Sequence, residues 1–254
     1  MVGLRRPAMF VLMISIAAVT CAAQSKLKEK IYPDGSTMVR IPAGEFMMGD
    51  DAGEADERPA HKVLLKAYWM DKTEVTQKFY DSCVAAGSCK PAEKYAGAQK
   101  ESRPAVGVSW EDAAAYCAWA GKRLPTEAEW EKAARGTDGR EYPWGAGIDC
   151  TLANYRECGV GHTLPVGSYP KGASPYGMFD MAGNAWEWVA DYYEPEYYKT
   201  APPQDPKGPP SGKYRVARGG SWNRPLYGMR SADRGGFKPE TRSDDIGFRC
   251  VADK

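Results

Sequence analysis

The chain has 254 residues, with Lys+Arg 34 against Asp+Glu 33 and a net charge of +1. That balance excludes the basic field a nucleic-acid partner requires, and 43% hydrophobic residues with Trp 8 and Tyr 15 exclude a disordered chain. The length fits one large domain or two small ones, and Gly 27 with Pro 19 predicts many turns and irregular loops.

Residues 1–23 read as a signal peptide. Arg5 and Arg6 supply the positive end, "AMFVLMISIAAV" the apolar run, and "TCAAQ" the small residues for cleavage after Ala23. The rival reading is a lipoprotein cleaved before Cys21, whose "AVTC" fits a lipobox poorly; membrane attachment would follow only from lipid on Cys21. Either route predicts a periplasmic or secreted protein. Residues 24–37 are polar and read as a flexible lead-in to a domain over 38–252.

"MVRIPAGEFMMGD" alternates apolar and polar residues and breaks at Pro and Gly, predicting strands and turns; "HKVLLKAYWMDKTEVT" opens as another strand. Three helices follow. "TEVTQKFYDSCVAAG" has helical apolar spacing and stops at Gly87. "SWEDAAAYCAWAGKR" starts with Ser109 three residues before Asp112. "PTEAEWEKAARG" starts with Thr126 three residues before Glu129 and ends at Gly136. The charge run Glu127, Glu129 and Glu131 reads as a solvated face. Beyond residue 137 the chain reads as short strands and long loops, with a Pro-rich surface loop at 202–212 and a last strand in "IGFRCVA".

Setting Cys21 aside leaves Cys83, Cys89, Cys117, Cys150, Cys158 and Cys250. An even set in an exported chain predicts disulfides, though six cysteines leave the connectivity open. Cys83–Cys89 and Cys150–Cys158 would each close a short loop, leaving Cys117 and Cys250. The sequence contains no G-x-S-x-G, Walker loop, H-E-x-x-H, C-x-x-C or dinucleotide fingerprint.

Taken in order, "IPAGEFMMGD", "KTEVTQKFY", "SWEDAAAYCAWAGKRLPTEAEWEKAARG", "YPWG", "DMAGNAWEWVADYY", "RVARGGSW", "RSADR" and "IGFRC" resemble the formylglycine-generating enzyme (sulfatase-modifying factor) domain family. The resemblance covers about residues 38–252. It implies an α+β, loop-rich variant of the C-type lectin fold, with few short helices and irregular antiparallel sheet. It also implies a Cys117–Cys250 bridge.

The resemblance assigns "DMAGNAWE" to a structural calcium ion, held by the Asp180 side chain, the Gly183 and Ala185 carbonyls and the Glu187 side chain. Calcium takes mixed carboxylate and carbonyl oxygens, so the chemistry is consistent. On this reading Glu187→Ala should lower the melting temperature in calcium and matter little in chelator. A second family calcium site would use Asn154 and the Tyr155 carbonyl. It lacks the family's further aspartate, leaving Glu157 as a substitute.

In formylglycine-generating enzymes the segment after "GGS" carries two copper-binding cysteines. Here "GGSWNRPLYGMRSADR" has none, so copper is not expected. The framework residues Arg218, Ser221, Trp222, Arg230 and Arg234 still match; they read either as buried arginines pairing with backbone carbonyls and carboxylates in a loop-rich core or, with Trp186, as a candidate binding cleft. A second branch of the superfamily uses three histidines on iron; this chain has only His61 and His162. A third, pyoverdine-maturation branch works without the cysteine pair. The expectation is an exported, calcium-stabilised binding or scaffold module for a peptide, glycan or envelope protein. The alternative is a periplasmic oxidoreductase.

Overall fold

The computed structural model describes residues 28–95 and 100–253. The expected signal peptide, and Cys21 with the alternative of a lipid anchor there, lie outside the described residues.

The strands are β1 (Glu29–Ile31), β2 (Thr37–Ile41), β3 (Gly44–Met48), β4 (His61–Leu65) and β5 (Tyr68–Asp71). The helices α1 (Gln77–Ala85), α2 (Trp110–Trp119) and α3 (Glu127–Arg135) follow. The chain closes with β6 (Trp186–Tyr192), β7 (Arg215–Arg218), β8 (Arg234–Phe237), β9 (Ile246–Phe248) and β10 (Val251–Ala252). Residues 136–185 hold only two single-turn 3-10 helices. This is the α+β, loop-rich architecture expected.

The strands form sheets ordered β1-β2-β5-β10, β3-β4 and β8-β7-β6-β9. All pairs are antiparallel except β6–β9, which runs parallel and departs from the antiparallel expectation. That pair puts Glu187 beside Gly247 on one side and Arg218 on the other. The predicted last strand is broken at Arg249 and Cys250 between β9 and β10. Arg249 turns inward to an ion pair and Cys250 to a disulfide.

Helix starts follow the sequence signals. Ser109–Asp112 and Thr126–Glu129 each form a full capping box, and Thr76 caps α1 through Phe79 N–H. Residues 29–31, expected in the flexible lead-in, instead form β1 against β2. The turn between them is held by Lys122, whose ammonium meets Asp34 at 2.6 Å and Asp71 at 2.8 Å. The Pro-rich loop docks on β4, with Leu64 N–H donating to Pro203 and Asp205 N–H to Leu64.

The core includes Trp130, Trp188, Tyr68 and Tyr80, all fully or almost fully buried. Cys83–Cys89, Cys117–Cys250 and Cys150–Cys158 are bonded. The Cys117–Cys250 bridge ties α2 to the last strands across 133 residues. Such a bridge stabilises by roughly 2–5 kcal/mol, chiefly by restricting the unfolded chain.

The expected solvated face on α3 is wrong. Glu127, Glu129 and Glu131 are all buried. Arg234 donates to both Glu127 oxygens at 2.7 and 3.0 Å. Glu131 meets Arg218 at 2.5 Å and Arg135 at 2.9 Å, and Arg123 chelates Glu129. Charge runs normally face water because desolvation is costly; here guanidinium groups replace the lost solvation.

Candidate functional site

Loop 180–185 leads directly into β6. Asp180 and Asn184 adopt left-handed backbone, at φ 57° and 65°, and Gly183 sits at φ 77° between them. Asp and Asn tolerate this conformation better than other side chains. Gly183 is required for a second reason: a Cβ there would lie 2.4 Å from the Asn154 carbonyl oxygen. Among the described residues, neither the Gly183 nor the Ala185 carbonyl accepts a hydrogen bond.

Three buried carboxylates share this region. Glu187 accepts from Arg249 Nε and a terminal Arg249 nitrogen, both at 2.6 Å, and from Trp130 Nε1 at 2.7 Å. Asp180 accepts from Gly167 N–H at 2.6 Å. Glu74 accepts from Asn184 Nδ2 at 2.9 Å through Oε1, while its buried Oε2 has no donor. Burial pushes the Glu74 pKa well up, and the charge on Asp180 adds to it. Burial also raises Asp180, against the Gly167 N–H bond, and Glu187, against Arg249.

Glu74 is the residue the sequence reading missed. Three acids thus face one guanidinium, with one orphaned oxygen and two unbonded carbonyls. No three His, Cys, Asp or Glu side chains form a metal group among the described residues. A cation here would therefore lean on carbonyls, and that mixed hard-oxygen set suits calcium. The donor set fits the group the resemblance implies.

The second calcium set is less complete. Asn154 Nδ2 donates to the His162 carbonyl at 3.0 Å, leaving a buried Oδ1 without a donor. The Tyr155 carbonyl already accepts from Cys158 N–H at 3.0 Å. Glu157 turns to Leu226 N–H at 3.4 Å.

The expected cleft residues do not line one open cleft. Trp186, Arg218, Ser221 and Arg234 are buried. Arg218 donates to the carbonyls of Ser231, Ala232 and Asp233 as well as to Glu131. Ser221 Oγ donates to Asp245 at 2.8 Å, and Trp222 Nε1 to the Asp244 carbonyl at 3.3 Å. Arg230 grips Glu57 at 2.7 and 2.5 Å. The physical reason is that loop-rich folds leave many carbonyls unpaired by sheet or helix, and arginines satisfy several at once.

The surface of this loop is different. Asn223, Arg224, Leu226 and Tyr227 are exposed, and Arg224 lies over the Trp186 ring at 5.6 Å. The turn beneath is tight: a Cβ on Gly220 would stand 2.3 Å from the Gly228 carbonyl oxygen. All six described cysteines are disulfide-bonded, so among the described residues no free thiol serves the loop. Each histidine uses Nδ1 on a nearby carbonyl: His61 on Pro59, His162 on Thr163.

This fold and loop system have known relatives. The family described as Sulfatase-modifying factor enzyme 1-like domain matches residues 23–254. The chain belongs to this family. It is 36% identical to the formylglycine-generating enzyme of Streptomyces coelicolor, over 94% of this chain and 97% of that protein. It is 32% identical to the Mus musculus protein named Inactive C-alpha-formylglycine-generating enzyme 2, over 85% of each. The solved structure of PvdO from Pseudomonas aeruginosa aligns with a TM-score of 0.78 at 30% identity, covering 90% of this chain and 98% of that one.

Proposed function

We propose that this protein is a calcium-stabilised recognition module that does not generate formylglycine, and that its ligand is a peptide. One observation carries the reading. The loop that follows the glycine pair presents exposed Arg224, Leu226 and Tyr227, and no free thiol, above a frame of committed ion pairs. Exposed arginine and aromatic side chains on a rigid loop suit recognition. Thiol oxidation needs a thiolate, and the disulfides consume the six described cysteines.

The Asp180 and Glu74 side chains and the Gly183 and Ala185 carbonyls would hold the calcium ion, while Glu187, engaged by Arg249 and Trp130, would support the loop from behind. When bound, the ion supplies positive charge to an acidic interior and so fixes the loop entering β6. Three disulfides support folding in an oxidising compartment, periplasmic or extracellular.

The likeness to PvdO favours one second reading, an oxidoreductase that works without the family's cysteine pair. Selection of a displayed peptide library on the purified protein, with Tyr227→Ala as counter-target, tests the first. Peptides lost with Tyr227→Ala support recognition. No enrichment, together with stoichiometric copper or iron after desalting, would favour the second.

A further inference from the structure

One face of the β1-β2-β5-β10 sheet gathers cations around a tryptophan. Lys28 and Lys30 are two residues apart and share that face, because side chains alternate along an extended chain. Arg40 and Trp69 join them through the register. Arg40 N–H donates to the Lys28 carbonyl, Lys30 stands opposite Met38, and Arg40 stands opposite Trp69. The rings confirm the shared face: the Lys30 ammonium lies 4.3 Å from the Trp69 ring and the Arg40 guanidinium 5.9 Å from it.

Acids do not balance this cluster. Lys28 and Arg40 are exposed, and among the described residues neither forms an ion pair. Glu29, between the two lysines, alternates to the other face, where Lys72 holds it at 2.8 Å. The neighbouring Asp34 and Asp71 are both taken by Lys122. Burial lowers the Lys30 pKa, and the charges of Arg40 and Lys122 lower it further. Cations crowd here, and an anion laid over the face would relieve them. Trp69 is half-buried, with an amphipathic ring of the kind that settles at the level of lipid headgroups.

A second observation comes from the direction of the chain. β1 is the first element of the described fold, so the preceding residues depart from this face. Lys26 lies two residues before Lys28 and adds a fourth cation; Cys21 lies seven before it. Seven residues span at most about 25 Å. Lipid on Cys21 would hold the face within that distance of a bilayer. Cleavage after Ala23 would instead leave the positive α-amino group of Gln24 close to the cluster. Both routes add to the attraction for anionic lipid, and one acyl chain with a basic patch is a combination that anchors stably.

We propose that this sheet face docks on a bilayer surface of anionic phospholipid, with Lys28, Lys30 and Arg40 on the phosphates and Trp69 among the headgroups. The inference concerns a different surface from the peptide-recognition loop and stands or falls separately from it.

The test is initial rates of lysine acetylation, read residue by residue by peptide mass spectrometry, on the full purified protein at physiological ionic strength. The protein is mixed with a large excess of phosphatidylglycerol vesicles or of phosphatidylcholine vesicles. Lys171 and Lys213 are exposed, lie outside this sheet and serve as internal references. Labelling of Lys28 should slow roughly fivefold or more on phosphatidylglycerol relative to phosphatidylcholine, with both references unchanged. Arg40→Gln should weaken that protection by about fivefold, one cation's share at an anionic surface. Lys213→Gln removes the same charge elsewhere and should leave it intact. Both variants change exposed side chains, and an unchanged melting temperature verifies folding. No protection of Lys28, or equal protection on the two lipids, overturns the proposal. Protection shared by Lys171 and Lys213 also overturns it, since the protein would then lie on the membrane without a preferred face. Protection undiminished in Arg40→Gln, or reduced equally in Lys213→Gln, overturns it as well.

Discussion

Two buried charge clusters meet at Trp130. On one side, Glu127 and Glu131 of α3 face Arg135, Arg218 and Arg234, and Arg218 lies 5.4 Å from the Trp130 ring. On the other, Glu74, Asp180 and Glu187 face Arg249, and Trp130 Nε1 donates to Glu187. The first cluster has a surplus of cations, which main-chain carbonyls absorb. The second has a surplus of acids and an orphaned Glu74 oxygen. Equal burial therefore produces different chemistry. A guanidinium finds acceptors along any irregular backbone; a carboxylate beyond its donors needs a proton or an external cation.

The largest effect is expected from breaking a pair on either side. Arg218→Met leaves Glu131 with Arg135 as its only guanidinium and the Ser231, Ala232 and Asp233 carbonyls without their donor, and Glu187→Ala takes from Arg249 its carboxylate partner. Each should lose about 3–5 kcal/mol in urea denaturation. The loss should appear in calcium and in chelator alike. That revises the expectation for Glu187, whose bonds to Arg249 and Trp130 exist without any ion. A calcium-restricted loss for Glu187→Ala would contradict the comparison.

The next effect separates the clusters. Calcium at about a hundred times its Kd should stabilise the parent protein by about 2.7 kcal/mol. Glu74→Gln should remove most of that increment and cost little in chelator, as read by melting curves with and without the ion. An undiminished calcium response in Glu74→Gln would remove this residue from the site.

A smaller effect is expected from pH. Burial raises Glu74 and Asp180 above the ordinary carboxylate range, so the metal-free folded protein holds protons that the unfolded chain releases. Its stability is greatest below the ordinary carboxylate pKa of about 4 and falls as pH rises through the raised values. Melting temperature of metal-free protein should climb on acidification from neutral pH. With calcium the slope should reverse, because the ion needs both carboxylates charged. The same slope in both conditions would show that no ion binds there.

The smallest effect belongs to the surface. Glu141→Gln and Tyr227→Ser should shift stability by no more than about 0.5 kcal/mol, read by the same denaturation curves. A larger shift would mean that these side chains serve the core rather than the surface.

Much of the fold was legible in the sequence, because its signals are local. The capping pairs at Ser109 and Thr126, the stop at Gly136 and the two short cysteine loops need only neighbouring residues. The misreadings share a different cause. The acids of α3 look solvated until Arg218 and Arg234 arrive, 87 and 107 residues later. Glu74 resembles an ordinary acid before a helix until Asn184 meets it from 110 residues away. The three-residue β1 reads as tail because Lys122, which holds the adjoining turn, lies 88 residues from Asp34. Pairing over such distances leaves no period in the sequence.

The contact between Gly183 and Asn154 links the acidic loop to thiol–disulfide chemistry. Asn154 stands inside the segment closed by Cys150–Cys158, and Cys150 is exposed. A reductant can thus reach this bridge from solvent while Cys117–Cys250 stays sealed in the core. Opening the outer bridge would free the backbone on which Gly183 rests. Cation affinity would then report the redox state of the surroundings, with the remaining fold still locked.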